Sequence, residues 1–142
     1  MVKPLFCAVG SEESDIHDTD IQNYVNSFLE SLGPREDVLI LPPDYTRYHS
    51  QAGKITKFIA EYYGFIGESK PSKSVPTIQI MPALGTHAPM SQTQIETMFG
   101  EELAKKEPSP FLVHDWRHDV ATIGHAPAEM VCSVSISCES PV

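Results

Sequence analysis

The alternation of helix-period stretches with short apolar runs most narrows what this chain can fold into. Ile21, Tyr24, Val25, Phe28, Leu29 and Leu32 recur at offsets that place them on one face of a helix. Thr19 and Gln22 before them have capping-box spacing, and Gly33-Pro34 supplies the stop. Val38-Leu39-Ile40-Leu41 follows as a continuous apolar run ended by Pro42-Pro43, the pattern of a strand buried on both faces. Ser50 can cap a second helix with Ile55, Phe58, Ile59, Tyr62 and Tyr63 facing inward, closed by Gly64. A polar loop over Gly67–Ser74 leads to a strand over Thr77–Leu84, ended at Gly85. Ser91 and Gln94 repeat the capping-box spacing and open a short helix through Phe99, stopped by Gly100. Phe111-Leu112-Val113 begins another strand, and Leu5–Val9 is a short strand near the N-terminus.

Strands joined by helices of this length pair in parallel through right-handed crossovers. The expected fold is therefore α/β, a three-layer sandwich with a mostly parallel, Rossmann-like sheet. At 142 residues there is room for one domain, expected over residues 1–130, followed by a divergent or truncated tail over 131–142. A 41% hydrophobic and 20% charged composition is that of a globular chain able to build a core without staples. Net charge is −9, from 10 basic and 19 acidic side chains, which argues against nucleic acid and against an anionic membrane surface. No apolar run approaches the roughly 20 residues of a spanning helix, and the N-terminus lacks a signal-peptide core. Cys7, Cys132 and Cys138 form an odd set without CxxC spacing, as reduced thiols of a cytoplasmic protein would.

Polar clusters follow three of the strands: Asp44-Tyr-Thr-Arg-Tyr-His49, Gly85-Thr-His-Ala-Pro-Met90 and His114-Asp-Trp-Arg-His-Asp119. In a parallel sheet these loops emerge together at the carboxyl end, where open α/β folds place ligands. Arg47 offers a planar fork suited to a carboxylate or phosphate, or else clamps Asp44 structurally. Asp44 equally suits an Asx turn after Pro43. His87 follows Gly85-Thr86, where the backbone can approach a ligand closely, and imidazole suits proton transfer near neutral pH. A surface or capping role is its plain alternative. His114 and His118 lie four apart on what reads as a strand end, so no metal site is expected there. Trp116 is expected to pack in a core or against another domain, and Asp115 and Arg117 to brace their loop. His17 and His125 read as loop residues and the cysteines as inert. No Gly-rich phosphate fingerprint, Walker motif or GxSxG is present. The residues thus suggest a site for a small anion, with an arginine for its charge and a histidine for a proton.

Taken together, Leu41-Pro-Pro-Asp-Tyr-Thr-Arg-Tyr-His-Ser-Gln-Ala-Gly53, Pro82-Ala-Leu-Gly-Thr-His-Ala-Pro-Met90 and His114-Asp-Trp-Arg-His-Asp119 resemble the N-terminal domain of the lactate racemase family. The resemblance extends from the first helix to about Glu129. It implies a racemase or epimerase of 2-hydroxy acids that works by transient hydride transfer to a nickel-pincer nucleotide. It also implies a catalytic proton-transfer role for His87 and carboxylate binding by Arg47, with Asp44 and Thr46 beside it. Gly85, Thr86, Asp115 and Arg117 would support the site. Members of the family carry a second catalytic histidine, a lysine anchoring the pincer, a nickel-ligating histidine and a C-terminal domain, none of which this chain matches. The chain is accordingly expected to be a truncated form, inactive alone. The alternative is a non-catalytic fragment that binds a small carboxylate, a phosphate or a partner domain. The open face should leave Trp116, Tyr45 and Tyr48 exposed and favour weak self-association.

Overall fold

The computed structural model describes residues 10–67, 75–115 and 117–130. Within these the elements run α1 (Asp18–Leu32), β1 (Asp37–Ile40), a 3-10 turn (Tyr45–Ser50), α2 (Ala52–Tyr62), β2 (Thr77–Ile80), α3 (Gln92–Phe99) and α4 (Glu101–Ala104). The expected strand Leu5–Val9, Cys7, Trp116, residues 68–74 and the tail 131–142 lie outside the described residues.

β1 and β2 pair in parallel, with Val38 opposite Ile78 and Ile40 opposite Ile80. The ladder continues past the strands: Met81 N–H donates to Ile40 O at 2.9 Å, Ala83 N–H donates to Pro42 O at 2.8 Å, and Pro43 bridges Ala83. The expected third strand is reduced to one parallel bridge, Ile80 with Phe111. Ile80 N–H donates to Pro110 O and Leu112 N–H to Ile80 O, both at 2.8 Å. Parallel pairing through helical crossovers is therefore present, on a small mixed α/β scaffold.

The three-layer sandwich is not present among the described residues. Ile40, Ile78 and Ile80 point into one core with Leu29 of α1, Ala60 of α2, Met98 and Phe99 of α3 and Leu103 of α4. The opposite face carries Asp37, Thr77 and Gln79, all exposed, with Leu39 at 54% and Leu41 at 58% exposure. The run Val38–Leu41 is thus buried on one face rather than both. A continuous apolar run shows that a strand is favoured, but the period of two lets half of it face outward.

Local signals explain most element ends. Ser91 Oγ accepts from Gln94 N–H, and Gln94 returns a bond to Ser91 N–H, as the spacing predicted. α1 begins two residues earlier than expected: His17 is its N-cap and Asp20 accepts from His17 N–H at 2.9 Å. The box at Thr19 does not form because Thr19 already lies inside the helix that the His17–Asp20 box starts. Of the six apolar residues on α1, Leu29 is buried and Val25 and Leu32 pack against the core, while Tyr24 and Phe28 are exposed. α2 likewise buries Gly53, Thr56 and Ala60 more deeply than its larger apolar residues. Small residues there let the helix axes approach: a Cβ on Gly53 would stand 1.9 Å from Met98 O.

Candidate functional site

The parallel register creates the site. Because the ladder runs on to Pro43 and Ala83, the turns that leave the two strands begin side by side at the carboxyl edge. On the first, Asp44 caps the 3-10 turn, its carboxylate accepting from Thr46 N–H. On the second, Gly85 adopts a left-handed φ of 58°, and His87 N–H donates to Leu84 O at 2.9 Å. That turn brings the ring of His87 back over the first loop, where Nδ1 lies 2.6 Å from Asp44 Oδ2.

Asp44 is the one buried carboxylate among the described residues, with 6% exposure. Its other oxygen, Oδ1, accepts from Thr46 Oγ1 at 2.5 Å and from Thr46 N–H at 3.1 Å. The Thr46 hydroxyl does most to hold the Asp44 carboxyl below its ordinary range. Burial opposes it, and the His87 hydrogen bond, the Thr46 N–H and the His87 charge add to the lowering. An ionised carboxylate only accepts, so Nδ1 of His87 carries the proton in this pair. In the neutral ring Nε2 then has the lone pair, on a side chain 58% exposed. The arrangement is a carboxylate-oriented imidazole able to take up and return a proton.

Arg47 sits on the same turn, its N–H donating to Asp44 O at 3.0 Å. Its structural alternative, an ion pair with Asp44, is absent: the carboxylate is occupied by Thr46 and His87. Among the described residues the exposed Arg47 guanidinium has no ion-pair partner, which leaves it open to an external anion.

The third loop stands apart in its bonding. Asp115 accepts from the backbone N–H groups of Arg117 and His118 and from His118 Nδ1 at 2.8 Å. The His118 bond is the chief cause of a lowered Asp115 carboxyl, on a residue far more open than Asp44. Asp115 therefore binds within its own loop. His114 Nδ1 is enclosed without a hydrogen-bond partner, and no group of three or more His, Cys, Asp or Glu among the described residues could hold a metal.

Behind the His87 loop, an apolar cavity of about 180 Å³ is lined by residues including Leu84, Met90, Ile95 and Phe111. Asp44, Arg47 and His87 do not line it; they lie on the two turns at the carboxyl edge. The Asp44–His87 contact was not deducible from either motif alone, since it depends on which strands are neighbours. The only signal available was that both motifs follow apolar runs.

No helix of the described residues is long and apolar enough to cross a membrane. The chain matches the family model described as "Lactate racemase N-terminal domain" over residues 8–139. Comparison with curated proteins and with solved structures gave no match.

Proposed function

Since this chain belongs to the lactate racemase N-terminal domain family, we propose that its carboxyl edge serves a racemase or epimerase of small 2-hydroxy acids. In this reading the Arg47 guanidinium receives the substrate carboxylate, and the exposed ring nitrogen of His87 takes the proton of the 2-hydroxyl and returns it. The observation that carries the proposal is the division of labour around Asp44. Its carboxylate is taken up by His87 and Thr46, so it orients the base and leaves the neighbouring arginine uncommitted. A bidentate arginine–carboxylate contact is among the stronger polar contacts available, and it would hold the hydroxyl-bearing carbon beside the imidazole.

The family implies a nickel-pincer nucleotide, which would supply a hydride acceptor when bound. Among the described residues no group of three or more His, Cys, Asp or Glu could hold a metal ion by itself, and the lysine and nickel-ligating histidine that the family uses have no match in the motifs of this chain. What this chain supplies in the proposal is carboxylate capture and a positioned proton acceptor. A cytoplasmic setting and a further sheet-covering layer fit the same reading, the second because Leu39 and Leu41 are exposed on the outer sheet face beside Asp37, Thr77 and Gln79.

One observation favours a second reading, a binding module without turnover: His87 is open to water, whereas charge-developing chemistry gains from water exclusion. Titration of the chain with D- and L-lactate, followed by NMR, separates these outcomes. The family reading expects shifts at Arg47 and His87 and at least about tenfold weaker binding in Arg47→Ala. Racemisation after loading with the pincer nucleotide distinguishes catalysis from binding. Lactate binding that is unaffected by Arg47→Ala would refute both readings of the arginine.

A further inference from the structure

We infer that Thr46 is a positioning residue that sets which nitrogen of His87 exchanges protons, acting through Asp44. The inference rests on the proton-transfer role given to His87 above and deepens it. Both donors to Asp44 Oδ1 come from Thr46, the hydroxyl at 2.5 Å and the backbone N–H at 3.1 Å. Those two bonds occupy one oxygen and fix the carboxylate plane, so that Oδ2 alone faces the ring and meets Nδ1 at 2.6 Å. Asp44 is buried, so water is poorly placed to replace the hydroxyl. A carboxylate anchored on one oxygen and presented on the other holds Nδ1 in its protonated state and directs the Nε2 lone pair outward.

The backbone N–H of residue 46 is present whatever the side chain, so the hydroxyl is what sequence controls. Removing it frees the carboxylate to rotate about its Cβ–Cγ bond and weakens its hold on Nδ1. The Thr46 side chain lies at the surface, so its replacement opens no hole in the core. On this account the threonine of the D-x-T-R segment meets the substrate only indirectly, because its proton is already committed to Asp44.

The test uses the whole ligand-free chain, labelled with ¹⁵N, under conditions where His87 is neutral. Long-range ¹H–¹⁵N correlations report which ring nitrogen carries the proton. In the unaltered chain Nδ1 is expected to be protonated. Thr46→Val, which keeps the shape and removes the hydroxyl, is expected to lower the ratio of Nδ1–H to Nε2–H tautomer by about threefold or more. The same change should move the Asp44 carboxyl titration upward, toward the ordinary carboxylate range. Thr46→Ser, which keeps the hydroxyl, should preserve both signatures, and Thr46→Ala provides the hydroxyl-free state without a branched side chain. A tautomer ratio unchanged in both Thr46→Val and Thr46→Ala overturns the inference, as does an Nε2–H tautomer in the unaltered chain. The readout needs neither substrate nor cofactor. Should the Thr46 series behave as expected while Arg47→Ala leaves lactate binding intact, the functional reading has failed and the positioning role stands.

Discussion

Replacing Gly53 with alanine sets two effects of opposite sign against each other, and the structure decides between them. In an ordinary helix interior the change stabilises by about 0.5–1 kcal/mol, because alanine loses less backbone freedom than glycine on folding. Here the added Cβ would lie 1.9 Å from the carbonyl oxygen of Met98 and 2.8 Å from its carbon. Even a tight 3.0 Å contact requires the backbones of α2 and α3 to part by about 1 Å. The obstacle is main chain, so no rotamer change relieves it. Parting the helices also loosens Met98 and Phe99, which are buried in the core beside them. Overpacking of this kind costs about 1–3 kcal/mol and exceeds the propensity gain, so a net loss of about 1–2 kcal/mol is expected. Urea unfolding should show a lower midpoint with an unchanged slope. The turn bearing Arg47 feeds directly into α2 through Gln51, so the same displacement should also weaken the lactate binding proposed for Arg47. A Gly53→Ala protein as stable as the parent, or more so, would refute the close helix crossing.

Two further outcomes follow from the site and its turn. The Asp44 carboxyl is held below its ordinary range in the folded chain, so its contribution to stability is present above about pH 4 and disappears as pH falls through the lowered folded value. Unfolding of Asp44→Asn measured across that acid range should therefore converge on the parent at low pH; a constant gap at every pH would contradict the lowered carboxyl. Gln51 holds a left-handed φ of 62° at the N-cap of α2 without a side-chain capping bond. Gln51→Gly should raise stability by about 0.5–1 kcal/mol, read by thermal unfolding, and a loss would show that the glutamine side chain contributes something its backbone geometry does not.

What the sequence made legible was mainly local. The capping box at Ser91 and Gln94, the glycine stops at Gly33 and Gly100, and the parallel pairing of the runs around Ile40 and Ile80 all follow from residue spacing. Burial was less legible, because hydrophobicity does not report how close two helices come. Gly53, Thr56 and Ala60 form the inner line of α2 by virtue of being small, while Tyr24 and Phe28, apolar and in phase, remain exposed. Leu39 and Leu41 misled for the related reason that an apolar residue states a preference, whereas its face is set by the pleat. The 3-10 turn and α4 carried too few periodic residues to be read at all. In the site, Asp44, Arg47 and His87 could be named from their motifs, but the Asp44–His87 bond lies 43 positions apart in sequence. It becomes visible only once strand adjacency is known.

That adjacency ties folding accuracy to chemistry. Asp44 and His87 each follow closely on residues locked in the β1–β2 ladder, with Pro43 set against Ala83. A slip of one position between the strands would displace one loop along the other by about 3.3 Å and destroy a 2.6 Å contact. The same slip would turn a strand over, driving Leu39 or Gln79 inward and expelling Ile40 or Ile80. A misregistered chain would thus lose its proton pair and its interior together. The isoleucines act as a gauge for the spacing of the carboxyl edge, and a molecule that has passed the test of packing has already had its carboxylate and imidazole aligned.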